Sequence, residues 1–184
     1  PVLQGVFIWG LIMNKLIEKA IGLQMNGFHT EAINIYQKAL QENPNDVLVS
    51  EYYGAVLAAK GRYKEAKVYL KKALKDDVVK PQVLNNLASV NENLHLYDEA
   101  LLNIQSALKF KPEYRDAWIN QGNIYVRMKQ WGKATSSYEN AIKLDASELE
   151  PHLSLANAYL HDLQFEVALA YYQKLQPQFN DARL

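Results

Sequence analysis

Small residues recur every 34 positions along nearly the whole chain, and this spacing decides most of what the chain can fold into. Ala32, Ala66, Ala100, Ala134 and Ala168 form one series; Ala20, Gly54, Ala88, Gly122 and Ala156 form a second. A third, Ala39, Ala73, Ala107 and Ala141, keeps the spacing until Leu175 takes its fifth place. Four residues after each alanine of the first series stands Tyr36, Leu70, Ile104, Tyr138 or Tyr172, on the same face of a helix. A small residue leaves a dent that a large side chain of a neighbouring helix fills, so alternating registers let helices pack to interior density. Such a chain is a stack of equal units, each contacting only its neighbours.

The clearest copy is Trp118-Ile-Asn-Gln-Gly122-Asn-Ile-Tyr125 followed by Trp131-Gly-Lys-Ala134-Thr-Ser-Ser-Tyr138-Glu-Asn-Ala141. It holds two helical stripes separated by a short turn. In these residues and in its period it resembles the tetratricopeptide repeat, a helix-turn-helix unit. The resemblance implies an all-α fold, a right-handed α-solenoid of five such units over residues 13–184, with copies at 13–46, 47–80, 81–114, 115–148 and 149–182. Asn26-Gly27 and Lys60-Gly61 read as turns, since glycine takes a positive φ at low cost. Asn43-Pro44-Asn45-Asp46 ends the second helix of the first copy, and Pro81 opens the third copy as a first-turn residue. In the third copy Asn91 stands where an apolar residue is usual.

Residues 1–12 lie outside the repeat and are largely apolar. They are expected to cap the exposed face of the first copy or to be a non-native extension. The apolar stretch is shorter than the roughly 20 residues a bilayer requires, and it lacks a signal peptide's basic flank and cleavage site. At the other end Phe165, Leu169 and Tyr172 have no following helix to cover them, so the chain is expected to continue in a larger protein or to self-associate through this uncapped end.

Twenty basic and twenty acidic side chains cancel, which removes the basic footprint of a nucleic-acid binder. The absence of cysteine excludes a disulfide framework and thiolate metal sites, in keeping with a cytoplasmic location. His29, His95, His152 and His161 are too scattered to converge on a metal and read as surface or packing residues. No phosphate-cradling loop, His-Glu-x-x-His pair or nucleophile elbow occurs. Neither catalysis nor a cofactor is expected.

The work of the chain is therefore expected to be holding a protein or peptide. In tetratricopeptide repeats the first helices line a concave groove, and the resemblance carries that role to particular places of each copy. These include Ile17 and Ile21 in the first copy, Asn85, Asn86 and Ser89 in the third, Asn120, Asn123 and Arg127 in the fourth, and Ser154 and Asn157 in the fifth. An asparagine offers both a donor and an acceptor, which suits an extended peptide backbone. The first two copies are more apolar, so a ligand with an apolar end and a polar extended stretch is expected. One subgroup of the family grips acidic chaperone tails with lysine and arginine; here Arg127 is the only basic groove residue, so charge-assisted clamping is not expected. The asparagine series also resembles the repeat region preceding the catalytic domain of O-linked N-acetylglucosamine transferases, which implies substrate recruitment for a larger glycosyltransferase as the alternative.

Overall fold

The computed structural model describes the backbone of residues 2–74 and 80–179 and the side chains of residues 13–74 and 80–177. Ten helices and no strand occur among the described residues. They are α1 (Val2–Met25), α2 (His29–Glu42), α3 (Val47–Ala59), α4 (Tyr63–Ala73), α5 (Pro81–Asn93), α6 (Tyr97–Phe110), α7 (Arg115–Arg127), α8 (Trp131–Leu144), α9 (Leu149–His161) and α10 (Phe165–Phe179). Helix α1 runs unbroken through the segment before the repeat, so those residues extend the first repeat helix. Whether they cap a face depends on the side chains of 1–12, which lie outside the described ones. Among the described residues no helix is long and apolar enough to cross a membrane.

The helix pairs turn by one device. Gly27 and Gly61 have φ of 81° and 73°, and the residues one and two periods further on, His95 and Lys129, adopt φ of 60° and 56°; Leu163 follows at 61°. A residue in this left-handed region lets the next backbone N–H reach back to the carbonyl five residues earlier, satisfying an acceptor that the helix end leaves orphaned. The bonds run from Phe28 to Leu23, Arg62 to Leu57, Gln130 to Tyr125 and Gln164 to Tyr159, at 2.9 to 3.0 Å. Glycine thus marks the first two turns in the sequence, while three later ones carry the same conformation on side-chain-bearing residues.

Between pairs, Asp46 caps α3 by accepting the Val49 N–H at 2.9 Å, and Pro81 supplies the first turn of α5, where its missing N–H leaves no helical bond unmade. Lys80, just before that proline, pairs with Glu51 of α3 at 3.0 Å. Arg115 does the same at the start of α7, holding Glu148 at 2.8 Å beside the start of α9. Its guanidinium keeps the Glu148 carboxyl below the usual range.

The chain forms two compact units, Pro1–Leu94 and His95–Leu184. In the first, α1 to α5 pack each on the next. Its core joins Ala20, Tyr36, Tyr53, Val56, Leu57, Leu70 and Val83, with Tyr69 edge-on to Tyr53 at 4.6 Å. In the second, α6 to α10 likewise pack in succession, with Ile104, Ala107, Ile124, Ala134, Tyr138, Leu155 and Ala158 buried. The dents are occupied as the sequence pattern requires. A Cβ on Gly54 would stand 2.7 Å from Leu70 Cγ, and one on Gly122 would stand 2.5 Å from Tyr138 Cε1. Each glycine therefore receives the large residue of its own pair's second helix.

Candidate functional site

In the second unit the first helices of two pairs present matching polar stripes. Asp116, Asn120, Asn123 and Arg127 follow one another along α7 at steps of four, three and four, which places them on one helical face. Glu150, Ser154, Asn157 and His161 repeat the arrangement on α9. All eight are exposed or half-buried. Each stripe has its acid in the first turn and its basic residue at the last position, the order that complements the helix dipole. With histidine counted as neutral, the two stripes together carry one net negative charge.

The asparagines of this face are held. Tyr138 Oη–H donates to Asn123 Oδ1 at 2.7 Å, and Tyr172 Oη–H donates to Asn157 Oδ1 at 2.8 Å. Burial raises the Tyr172 phenol pKa, so the hydroxyl remains a donor. Neither tyrosine stood among the groove residues expected from sequence, although the signal was there. Each lies fifteen residues after its asparagine, and asparagine occupies that first-helix place in two of the three copies where tyrosine faces it. In the first copy Ile21 holds that place, and Tyr36 Oη–H instead donates to Gln24 Oε1 at 3.1 Å.

In the first unit the stripe on α5 runs through Gln82, Asn86, Ser89 and Asn93, with Asn93 Nδ2 donating to the Ser89 carbonyl at 2.8 Å. Asn86 and Ser89 are half-buried on this face. Two expected groove residues are buried. Asn85 is 7 % exposed and Ile17 is 8 % exposed, the latter within the core of the first unit. Both occupy the fifth place of their copies, which lies roughly 70° round the helix from the stripe and so turns inward. Ile21 is half-buried against that core. Tyr52 stacks on Tyr36 at 6.4 Å and is likewise packed against that core.

The histidines serve packing and turns. His152 is 6 % exposed; its Nε2–H donates to the Ala146 carbonyl at 3.1 Å, and its Nδ1 shares a hydrogen bond with the Tyr171 hydroxyl at 2.7 Å. His161 stacks on Trp131 at 4.7 Å, and His95 accepts or donates to the Tyr97 hydroxyl at 2.9 Å across its turn. His29 opens α2 rather than lying in the turn before it. Among the described residues no three metal-ligating side chains gather. A half-buried pair joins α8 and α9, where Tyr159 Oη–H donates to Glu139 Oε1 at 2.9 Å. Burial and then that carboxylate push the Tyr159 phenol up to about 12.

Repeated helix pairs with polar faces on their first helices define an all-α repeat solenoid that serves as a protein-interaction scaffold. The chain belongs to the tetratricopeptide repeat family: profiles of that repeat match residues 24–89 and 119–183. Human tetratricopeptide repeat protein 6 is 26% identical over 147 residues, 77% of this chain and 28% of that protein. Human protein O-mannosyl-transferase TMTC1 is 26% identical over 162 residues, 86% of this chain and 18% of that protein. The chain therefore spans less than a third of the length of these relatives. Among solved structures, MamA is 25% identical with a TM-score of 0.77, over 90% of this chain and 97% of that one. YrrB, described as a tetratricopeptide repeat protein with an unusual peptide-binding site, is 22% identical with a TM-score of 0.73, over 91% and 87%. These likenesses speak to the fold.

Proposed function

We propose that the second unit binds an extended peptide along the stripes of α7 and α9. The observation that carries this reading is the pair of asparagines, Asn123 and Asn157, oriented by tyrosines one period apart. The same bonds satisfy the tyrosine hydroxyls and leave the two amides pre-oriented for an extended backbone. Asn120 and Ser154 add further polar groups on the same faces, and Arg127 adds a cation at the end of one.

The test is an array of immobilised unstructured peptides probed with the wild type and with a variant carrying Asn120→Ala, Asn123→Ala and Asn157→Ala, once both are seen to melt at the same temperature. Each amide bond nets about 0.5 to 1.5 kcal/mol, so the triple variant should bind roughly tenfold or more weakly. Equal binding would overturn the reading.

The match of 86% of this chain to part of an O-mannosyl-transferase supports a second reading, recruitment of substrates for a glycosyltransferase in the same polypeptide. Peptides captured on the array should then coincide with segments that the parent protein glycosylates, and their absence from those segments would remove this reading.

A further inference from the structure

We infer that Tyr138 and Tyr172 are positioning residues that lock Asn123 and Asn157 as hydrogen-bond donors, so that this face reads the carbonyl oxygens of an extended chain and not its N–H groups. The inference rests on the reading that the face binds a peptide and says what the face recognises in it. A primary amide can ordinarily present either edge, its carbonyl oxygen or its NH₂, by rotating about one side-chain bond. Here a tyrosine hydroxyl that donates to Oδ1 favours one edge before any ligand arrives. Asn123 turns Oδ1 toward Tyr138, whose side chain is 2 % exposed, at 2.7 Å. Nδ2 is consequently directed away from that buried ring. Asn157 repeats the arrangement with Tyr172 at 2.8 Å.

Within the chain, residue choice follows the same logic. The second and third copies place Leu70 and Ile104 where these tyrosines stand, and there Ala55 and Ser89 replace the asparagines. Both amides at this place face a tyrosine, while in the first copy Tyr36 faces Ile21 and bonds Gln24 instead. Orienting the donors beforehand also removes rotamer entropy that binding would otherwise cost.

Thioamide substitution provides a test with a sign, because replacing a peptide oxygen by sulfur weakens the carbonyl as an acceptor and strengthens the following N–H as a donor. A peptide selected from the array would be scanned one thioamide at a time against the wild type. At the positions facing Asn123 and Asn157, binding should weaken roughly twofold to tenfold. In Tyr138→Phe and Tyr172→Phe, which remove only the hydroxyls, the amides can turn and the thioamide penalty should shrink toward none. Thioamides that strengthen binding or leave it unchanged at those positions, while Asn123→Ala and Asn157→Ala still weaken it, would overturn the lock and spare the binding face. Binding indifferent to the alanine variants would overturn the face itself. A ligand-free measurement decides the lock independently. Side-chain ¹⁵N relaxation should show Asn123 and Asn157 as ordered in the wild type, with Tyr138→Phe loosening Asn123 alone. Equal order in that variant would overturn the inference.

Discussion

Gly122 and Leu163 place opposite demands on a single residue. At Gly122 there is no room for a methyl group, since its Cβ would lie 2.5 Å from a carbon of the Tyr138 ring, a buried group that cannot swing aside. Gly122→Ala is expected to cost about 1 to 3 kcal/mol by overpacking, measured as a lower urea midpoint with unchanged slope, and to loosen Asn123 through the displaced ring. Leu163 has room and the wrong backbone. Its φ of 61° disfavours any side chain, and 72 % of the residue is exposed, so little packing compensates. Holding an ordinary residue there costs about 1 to 2 kcal/mol, while glycine adds roughly 0.5 to 1 kcal/mol of unfolded-state entropy. Leu163→Gly is therefore expected to leave stability unchanged or raise it by up to about 1 kcal/mol, seen as a Tm that does not fall. A drop of several degrees would mean that Leu163 packs in a way its exposure conceals.

At the scale of the helix, α5 carries the clearest inconsistency. Asn91 is fully buried with neither Oδ1 nor Nδ2 hydrogen-bonded among the described residues, in a register where other copies place Leu57, Tyr125 and Tyr159. An unsatisfied buried polar group costs about 1 to 3 kcal/mol, and Asn91→Leu is expected to recover that amount in thermal or urea unfolding. The pair of helices α8 and α9 predicts a pH dependence. Tyr159 titrates near 12 in the folded chain against an ordinary 10, because burial and the Glu139 carboxylate both disfavour the phenolate. The folded state thus holds this proton more tightly than the unfolded one. Its contribution is fully present below pH about 10 and lost as pH rises through about 12. Alkaline titration of the urea midpoint should fall less steeply for Tyr159→Phe than for the wild type. Parallel curves would show that the phenol is not perturbed by folding.

At the scale of the whole molecule, unfolding should follow the two units. Stability in an array of repeats is approximately a sum of local terms between neighbours, so damage is confined to the neighbourhood it strikes. Leu87 of α5 is 3 % exposed, and Leu87→Ala is expected to cost about 2 to 5 kcal/mol. Hydrogen exchange should record that loss in α3 and α5 of the first unit, with protection in α7 and α9 of the second changed by no more than about 0.5 kcal/mol. An equal loss in both units would mean that they unfold as one.

The period of the small residues, with the family resemblance it carries, was enough to indicate an all-α chain of helix pairs, and residue type marked the glycines of two turns, the break at Pro44 and the start of α5 at Pro81. These are local choices, made within a helix or at its ends, where spacing and residue type already carry the physics. The polar stripes of α7 and α9 were legible for the same reason, since four residues on one helical face follow from 3.6 residues per turn. What the fold decided is what covers each face. Asn85 and Ile17 turn inward because their place lies off the stripe and other helices close over it. His95, Lys129 and Leu163 adopt a glycine-like φ because flanking helix packing sets the turn whatever residue occupies it. The orientation of Asn123 and Asn157 belongs to this second group: it depends on a hydroxyl brought from the next helix, a distance that only tertiary packing sets.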